Sequence, residues 1–354
     1  MTSTSHEPVI LGRSSLPGLA PESGHLVYRG EVPLISVIIR SYQRPTALLE
    51  LVSRLRTQSY PKYEIVILEQ SDDLHLIQQL ERLKDTRLRV VISPPRDPPA
   101  ARNAAIQHAR GSIFLFIDDD DLPLYEDWIT NHVANYWDQE CMGVVGRLVS
   151  SPTRLAGPRF PKLVRALAMR FTWFGDTRAY AHNTLRKKGI DFLIGSNASV
   201  RRSLVERIGA WDEGIPMNEE QSFSFRFAQL KQRNEHFTFD PRPVMWRRTD
   251  VPGGLARRMG ADWYLREFEA RLFFYRNVVG YYFPTRYRLL RPLYFVRALF
   301  QVFEWIWDPD NRAHPFFERL AASTNLFLQA STVLDGKRYS ARAIRRVPSW
   351  PSPQ

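Results

Sequence analysis

The sequence predicts an α/β fold built on a mainly parallel β-sheet, on the strength of three observations. Four short apolar segments lie between residues 34 and 117, stretches with helical periodicity separate them, and polar side chains follow three of the four. Alternating strands and helices are typical of a parallel sheet with right-handed crossovers. Ligands on such sheets bind at the carboxyl ends of the strands, which is where these polar side chains fall.

The strands are predicted where Val, Ile and Leu run together without polar alternation, a pattern that indicates burial on both faces of a sheet. The helices are predicted where apolar residues recur at spacings of three and four. In chain order these are a strand at 34–39, a helix from 46 that stops at 59–61, a strand at 64–68, a helix at 74–84, a strand at 89–92, a helix at 100–109 and a strand at 112–117.

The composition excludes several classes of protein. The chain has 354 residues, 44% of them hydrophobic, which suits one large domain or two with a substantial core. The single cysteine, Cys141, excludes a disulfide-stapled scaffold and a cysteine-ligated zinc site, and makes the cytoplasm the simplest compartment. We expect neither a spanning helix nor a signal peptide, because no apolar stretch is long enough and the N-terminal residues lack the required layout.

Positive charge is concentrated in the last third of the chain. The formal net charge is +12, and residues 251–354 contain 16 Lys and Arg against 8 Asp and Glu, interleaved with aromatic residues. This excess favours a polyanionic partner, namely an anionic membrane face, a diphosphate-bearing lipid or sugar, or a nucleic acid. A solvated basic face is the alternative, and the composition does not separate the two.

Four consecutive carboxylates, Asp118, Asp119, Asp120 and Asp121, directly follow the fourth predicted strand. Like charges so close together are unfavourable unless a cation or hydrogen-bond donors compensate them, and carboxylate oxygens favour Mg²⁺ or Mn²⁺. Such an ion usually completes its shell with water and substrate phosphates, so the run predicts a nucleotide diphosphate as ligand. The alternative is an acidic turn that caps the next helix near Leu122.

No Gly-rich dinucleotide or P-loop motif is present, so this sheet is expected to bind its ligand through side chains.

Several segments, taken in order, resemble family 2 glycosyltransferases of the GT-A fold. ISVIIRSYQRP at 35–45, QSYP at 58–61, YEIVILE at 63–69, AARNAA at 100–105 and FIDDDD at 116–121 match the nucleotide-binding half, and IGSNASVRR at 194–202, GAWDE at 209–213 and NEE at 218–220 match the acceptor half.

The resemblance implies an α/β fold of GT-A type, with a Rossmann-like mixed, mainly parallel sheet flanked by helices and a helical C-terminal extension. We expect a flexible leader at 1–32 and a catalytic domain at 33–255, divided into a nucleotide-sugar half (33–125) and an acceptor half (126–255). A helical subdomain rich in aromatic residues and Arg is expected at 256–340, followed by a loose basic tail at 341–354.

The resemblance also places the nucleotide at the ends of the first, second and fourth strands. In the family an Asp after the second strand accepts a hydrogen bond from the uracil imide; Glu69 stands here, one methylene longer, so UDP is favoured and other nucleotides stay open. For Arg102 and Asn103, ordinary polar residues at a helix N-terminus are the alternative. The implied nucleotide-sugar contacts are Ser41, Tyr42, Arg44, Glu69, Arg102, Asn103, Asp118 and Arg247.

The D-x-D motif of the family maps to Asp118 and Asp120 as metal ligands, with Asp119 and Asp121 as the alternative register. The implied cofactor is Mn²⁺ or Mg²⁺, which would neutralise charge on the departing diphosphate.

A histidine that often completes the metal shell in the family is absent from the corresponding stretch, VMWRR at 244–248. Arg247 or Arg248 is expected to contact the diphosphate instead, because a guanidinium suits phosphate oxygens. The Gly-rich segment at 251–254 that follows is expected to be a mobile loop that closes over the donor.

The family's catalytic base is the second residue of an acidic pair that opens a helix. Glu219 and Glu220 occupy the pair here, and Glu220 takes the base position. The alternative is that both carboxylates only complement the helix dipole. The implied acceptor contacts are Trp211, Asp212 and Asn197, with a buried aromatic turn as the alternative for Trp211.

Two further regions carry apolar and basic residues together. The segment at 161–171, followed by Trp173, has helical periodicity with a cationic face, which favours an acceptor or membrane subsite or, alternatively, core packing. The aromatic and Arg-rich pattern at 256–340 suits a bilayer interface or a dimer surface.

These observations predict an inverting glycosyltransferase that uses a nucleotide-diphosphate-sugar, with a glycan or lipid-linked acceptor, in cell-surface polysaccharide biosynthesis. We expect it in the cytoplasm or peripherally on the inner face of the cell membrane, with no nucleic-acid partner. Two alternatives remain: a catalytically degenerate family member that binds a nucleotide-sugar without turnover, and a basic polyanion- or membrane-binding module.

Overall fold

The computed structural model describes residues 32–153, 169–179, 181–248, 251, 261–307 and 344–346. Up to residue 118 the predicted elements are all present, with bounds shifted by a few residues at most. They are β1 (Ile35–Ser41), α1 (Pro45–Arg56), β2 (Tyr63–Glu69), α2 (Leu74–Arg82), β3 (Leu88–Ile92), α3 (Pro98–Gln107) and β4 (Ile113–Asp118).

The second half of the main domain contributes shorter and more irregular elements. They are β5 (Asp121–Pro123), α4 (Trp128–Val133), a 3₁₀ turn (Ala134–Trp137), β6 (Cys141–Val149), β7 (Arg170–Phe171), β8 (Thr177–Arg178), β9 (Lys187–Ile190), β10 (Ala198–Arg201), α5 (Arg202–Ile208), α6 (Glu219–Leu230) and β11 (His236–Arg247).

A helical extension follows β11, as the sequence predicts. It contains α7 (Ala261–Phe274), a π-helical turn (Tyr275–Val279), α8 (Gly280–Tyr282) and α9 (Pro284–Trp307). Helix α9 is kinked at Leu290 and contains Pro292, which has no N–H to donate and is a common cause of kinks.

The central sheet has nine strands in the order β3-β2-β1-β4-β10-β6-β11-β5, with β9 beside β11. Strands β1 to β4 are mutually parallel, whereas β10 runs antiparallel to β4 and β6. The chain goes outward from β1 to β3 and then returns to the other side of β1 as β4, so a topological switch point lies between β1 and β4. The fold is the mixed, mainly parallel α/β sheet that the sequence predicts.

Hydrophobic side chains fill both faces of the sheet. One face packs against α1, α2 and α4, with Leu51 and Trp128 fully buried, and the other packs against α3, α5 and α6, with Ala105 and Phe223 fully buried. A third cluster joins the C-terminal helices to α6 through Phe225. Helix α6 therefore packs against the sheet and against the C-terminal helices at the same time.

The structure corrects two expectations. The acidic run does not cap a helix, because Asp121 begins β5 and α4 starts only at Trp128. Residues 344–346 are not part of a loose tail, since Arg345 forms a two-residue β-bridge with Glu213. Several expectations concern residues outside the described ranges. They are those for 1–31, for the helix at 161–168, for the loop at 252–254, and for 308–343 and 347–354.

Candidate active site

The switch point of the sheet brings opposite charges together at the ends of β1 and β4. Arg40 and Asp118 are register partners in the parallel pair. Arg40 contacts Asp118 Oδ1 through Nε and through a terminal nitrogen, each at 3.1 Å. This ion pair lies at the carboxyl edge of the sheet, where ligands bind in open α/β folds.

The loop after β1 holds the next two aspartates. Asp119 is buried and accepts hydrogen bonds from the Tyr42 backbone N–H at 3.2 Å and from Arg44 at 2.7 Å. The same Arg44 nitrogen lies 2.8 Å from Asp120. Arg44 therefore ties the loop after β1 to the acidic run.

The last aspartate is held from the opposite side by β10 and β11. Asp121 is buried, accepts a hydrogen bond from Ser196 Oγ at 2.7 Å, and lies 3.4 Å from Arg247, its register partner in β11. Ser196 Oγ also accepts a hydrogen bond from the Asp118 backbone N–H. The run is therefore fixed at both ends by residues distant in sequence.

Three of the four carboxylates are placed to hold one cation. Asp118, Asp120 and Asp121 each offer an oxygen, and these oxygens lie within 4.8 Å of one another. Asp121 Oδ1 is buried without a hydrogen-bond partner among the described residues, so an acceptor is left for a ligand. Hard carboxylate oxygens in such a group fit Mg²⁺ or Mn²⁺. Both members of the expected pair, Asp118 and Asp120, are in the group, and Asp119 is not.

Burial and mutual repulsion alter the protonation of the acidic run. Burial raises the pKa of Asp119 to about 6 and that of Asp121 to about 7, with nearby carboxylates contributing in the same direction. Burial alone would raise the pKa of Asp118 as well, but Arg40 and other arginines lower it. Asp118 is therefore the carboxylate of the run whose charge the protein itself stabilises most clearly.

The second acidic group opens helix α6. Glu219 and Glu220 occupy its first turn, and Arg102 from α3 donates to Glu219 Oε1 at 3.1 Å and lies 3.5 Å from Glu220 Oε1. The Arg102 side chain is 3% exposed, against 19% for Glu220. Burial, followed by the charge of Glu219, raises the pKa of Glu220 to about 8. Glu220 is the member of the pair with a solvent-accessible carboxyl and a high proton affinity.

A pocket separates the acidic run from the α6 carboxylates. Although burial opposes its charge, Arg40 has a raised pKa because Asp118, Glu219 and Glu220 all act on it. A Cβ at Gly195 would overlap Glu220 Oε1, so any other residue there would displace this carboxyl from its present position. The lining residues are Ile38, Arg40, Arg102, Phe116, Ile117, Asp118 and Gly195.

Two buried oxygen atoms without partners lie at the ends of β1 and β2. Ser41 and Glu69 are register partners, and neither Ser41 Oγ nor Glu69 Oε2 has a hydrogen-bond partner among the described residues. The other Glu69 oxygen accepts from the backbone N–H groups of Gln70 and Ser71. Glu69 is fully buried whereas Tyr42 is exposed, so a nucleotide reaches Glu69 only if the residues that cover it move.

Several predicted contacts are instead internal to the protein. Asn103 is buried. Its side-chain oxygen accepts a hydrogen bond from the Trp211 backbone N–H, and its side-chain nitrogen donates one to the Trp211 carbonyl oxygen. Trp211 is 2% exposed and stacks on Phe223 with a 4.7 Å centroid distance. Asp212 is fully buried between Arg226 and Arg346. These three residues build and support the 211–213 turn, and the nucleotide contact expected for Asn103 and the acceptor contacts expected for Trp211 and Asp212 stay predictions.

Asn197 also lies in the core. Its side-chain oxygen accepts from the Trp128 indole at 2.8 Å, and its nitrogen donates to the carbonyl oxygens of Arg147 and Pro243. The residue is fully buried, with a φ of 56° that asparagine tolerates better than most residues. Asn197 therefore has a structural role where β6, β10 and β11 meet, and the expected acceptor contact stays a prediction.

Sequence reasoning missed Arg40 and Ser196 as residues of the site. The sequence does contain a signal for Arg40, because it is the charged residue of the mainly apolar strand β1 and lies next to the carboxyl end of that strand, where ligands bind. Ser196 carried none, because its bonds to Asp118 and Asp121 span more than 70 positions. Arg248, offered as a diphosphate contact, instead donates to the Asp120 carbonyl oxygen and pairs with Glu50.

Comparison with known proteins gives one family match. Residues 36–209 match the model of glycosyl transferase family 2. The chain is 36% identical over 93 residues to the putative teichuronic acid biosynthesis glycosyltransferase TuaG of Bacillus subtilis, covering 25% of this chain and 36% of that protein.

Two further similarities involve an Escherichia coli enzyme and a solved structure. The chain is 27% identical over 103 residues to UDP-Glc:alpha-D-GlcNAc-diphosphoundecaprenol beta-1,3-glucosyltransferase WfaP, covering 29% of this chain and 39% of that protein. The mannosyltransferase PcManGT of Pyrobaculum calidifontis, solved with GDP-Man and Mn²⁺, is 18% identical with a TM-score of 0.49, covering 87% of this chain and 82% of that one. The chain spans about half the length, or less, of the curated relatives it matches.

Proposed function

Because the chain belongs to glycosyl transferase family 2 through residues 36–209, we propose that it transfers a sugar from a nucleotide-diphosphate-sugar to a hydroxyl group, with inversion at the anomeric carbon. The observation that carries the proposal is one pocket with two acidic groups beside it. Asp118 lines the pocket directly, and Arg102 and Gly195 of its lining hold Glu219 and Glu220. A donor with its diphosphate at the first group would present its sugar to the second.

The proposed donor is a UDP-sugar bound at the carboxyl edge of β1, β2 and β4. The unpartnered oxygens of Ser41 and Glu69 would accept hydrogen bonds from the base or ribose. Asp118, Asp120 and Asp121 would hold Mn²⁺ or Mg²⁺, and the bound cation supplies positive charge to offset the charge that develops on the diphosphate. Arg247, half exposed beside Asp121, would pair with phosphate oxygens from the other side.

In this proposal Glu220 is the base. An inverting displacement needs a group that accepts the proton of the acceptor hydroxyl as its oxygen attacks the anomeric carbon. The accessible carboxyl of Glu220 and its raised pKa suit it to hold that proton. Arg102 acts through Glu219 and Glu220 by fixing their orientation, and is a positioning residue.

The proposed acceptor is a glycan or a lipid-linked sugar in cell-surface polysaccharide biosynthesis. The names of two relatives support it, since one acts on a diphosphoundecaprenol-linked sugar with UDP-Glc and the other belongs to teichuronic acid biosynthesis. A peripheral position at an anionic membrane would bring the enzyme to such an acceptor.

The first test is ligand-induced stabilisation of the purified chain. UDP, GDP, CDP, TDP and ADP are each added with Mn²⁺, with Mg²⁺ or with EDTA, and the unfolding midpoint is recorded. We expect one diphosphate, UDP, to raise the midpoint only when a divalent cation is present, because a ligand that binds the native state alone stabilises it.

Turnover is tested separately with the matching nucleotide-sugar and a polyprenyl-diphosphate-linked sugar, by following nucleotide release and the anomeric configuration of the product. Stabilisation by UDP without turnover on any acceptor would favour the degenerate, nucleotide-sugar-binding alternative. A folded sample that no diphosphate stabilises would reject the proposed donor site and favour the polyanion-binding alternative.

A further inference from the structure

Helix α9 has apolar side chains on two opposite faces. Tyr294 and Ala298 face the protein and are 1% and 0% exposed. On the other side Leu293, Val296 and Phe300 are 48%, 56% and 58% exposed, and at about 100° per residue they fall within an arc of about 60°. Leu289, just before the kink, is 76% exposed. We call Leu289, Leu293, Val296 and Phe300 the apolar stripe.

A solvent-facing helix surface normally carries polar residues, so this stripe needs an explanation. It is not a side effect of weak packing, because the opposite face of α9 is tightly buried in the cluster that includes Phe225 of α6. Four large side chains in a row on a well-packed helix indicate a surface that is covered under working conditions.

The charges around the stripe indicate what covers it. Between residues 284 and 303 the sequence has four arginines and no Asp or Glu. Arg288 and Arg291 are both exposed on α9, on either side of its kink at Leu290. Arg286 lies over the ring of Phe283 at 4.1 Å and near the ring of Trp173 at 5.8 Å.

Trp173 is a second exposed apolar side chain close to α9. It is 57% exposed, and its neighbour Phe174 packs on Tyr294 of α9 with a 5.3 Å centroid distance. Tryptophan beside arginine is typical of the water-lipid boundary, where an amphipathic ring and a basic side chain both find partners.

We propose that the apolar stripe and Trp173 rest on an anionic lipid bilayer, with α9 lying in the plane of the membrane surface. A helix with a convex apolar ridge and flanking arginines suits a flat, negatively charged, apolar surface. No helix among the described residues combines the length and the apolarity that crossing a bilayer requires, so the contact is with the surface. A second copy of the chain is a poorer fit, because pairing two stripes would bring the exposed Arg288 and Arg291 of both copies towards the same interface.

The contact is tested by vesicle flotation of the full chain. Vesicles of phosphatidylcholine alone are compared with vesicles in which about a third of the lipid is phosphatidylglycerol, at low and at high salt. We expect flotation with the anionic vesicles only, and less of it at high salt.

Two variants separate the apolar and the charged contributions. Leu293→Ser/Val296→Ser should weaken binding to anionic vesicles about tenfold, because two apolar side chains no longer enter the lipid. Arg288→Gln/Arg291→Gln should also weaken it about tenfold or more. Leu74→Ser/Leu185→Ser removes two exposed leucines outside the stripe and is the matched control, with no expected change. All variants should keep the wild-type unfolding midpoint, since the substituted side chains are exposed.

Three results would overturn the proposal. In the first, neither kind of vesicle retains the wild-type chain. In the second, the control variant loses as much binding as the stripe variant. The third is a concentration-dependent dimer, seen by light scattering, that the stripe variant dissociates while vesicle binding is unchanged. Because flotation needs no nucleotide or turnover, failure here would leave the proposed transferase function untouched.

Discussion

At the level of single residues, arginines that end or begin strands balance the charge of the acidic run. Arg40 pairs with Asp118, Arg44 with Asp119 and Asp120, and Arg247 with Asp121. Without such partners, four neighbouring carboxylates at a buried edge would be strongly destabilising. The acidic run is therefore held in position by these ion pairs without a ligand, and a bound cation would add further positive charge to it.

Replacing Asp120 tests the cation site directly. Asp120→Asn removes one of the three carboxylates that share the site, and we expect cation-dependent stabilisation by UDP to disappear and transfer to fall about a hundredfold or more. Binding of Mn²⁺ is measured by titration calorimetry and transfer by nucleotide release. Asp127→Asn, at an exposed carboxylate that makes no capping hydrogen bond, is the control. Equal metal affinity in the Asp120 variant and the wild type would exclude Asp120 as a ligand.

The pH dependence of transfer tests Glu220. A base must be ionised, and with a pKa of about 8 the ionised fraction of Glu220 rises as pH increases towards 8. We therefore expect kcat/KM to rise about tenfold per pH unit below pH 8 and to level off above it. Glu220→Gln should abolish transfer while UDP still stabilises the chain, and Glu206→Gln, on the surface of α5, should leave the profile unchanged. A flat profile between pH 6 and pH 9 would contradict the assignment.

At the level of elements, α3 and α6 form a unit through one buried arginine. Arg102 reaches from α3 to both carboxylates of α6 and lies over the Trp211 and Phe116 rings at 5.2 and 5.5 Å. Asn103, the next residue, holds the turn that leads towards α6. Helix α3 therefore fixes where the proposed base stands.

Removing that arginine should affect both stability and chemistry. Arg102→Met leaves the buried Glu219 carboxylate without its arginine partner, and we expect the free energy of unfolding to fall by about 2–4 kcal/mol, measured in urea. Under conditions where the variant stays folded, kcat should fall more than KM rises, and Arg102→Lys should recover part of the loss. Lys188→Met, which breaks an exposed ion pair with Asp138, should lower the free energy of unfolding far less. An equal loss of unfolding free energy in Arg102→Met and Lys188→Met would contradict the proposed importance of the Arg102 ion pairs.

The sequence predicts the first half of the sheet well and the details of the site less well, for one physical reason. Runs such as ISVII in β1 and FLFI in β4 report burial locally, so their positions can be predicted without knowing their neighbours. The roles of Asp212 and Asn197 depend on partners far along the chain, as with Arg346, 134 positions after Asp212. A polar residue in a loop looks the same in sequence whether it faces a ligand or a buried arginine.

At the level of the whole molecule, residues 344–346 contact the 211–213 turn and the helical extension. Arg346 donates to Asp212 at 2.7 Å and to the Asn277 carbonyl oxygen at 2.9 Å, and it lies over the Tyr281 ring at 4.2 Å. This one side chain therefore joins the 211–213 turn to the helical extension.

We expect Arg346→Met to lower the free energy of unfolding by about 1–3 kcal/mol, because Asp212 is fully buried and, among the described residues, keeps Arg226 as its one charged partner. Hydrogen exchange should also speed up in the 211–213 turn and in α6. Arg345→Met is a close control, since that side chain is 77% exposed, and it should change stability by less than about 0.5 kcal/mol. Equal effects of the two substitutions would contradict the anchoring role of Arg346.

The β-bridge between Glu213 and Arg345 also sets an order of events during translation. The nucleotide half leaves the ribosome first, and the 211–213 turn follows, but its bridging partner is synthesised only 132 positions later (345 − 213). At about 5–20 residues per second this gap lasts roughly ten seconds. During that interval the nascent chain has its donor edge and its acidic run, while the turn before α6 still lacks its second support. The 211–213 turn therefore gains its bridging partner only after the helical extension has been synthesised.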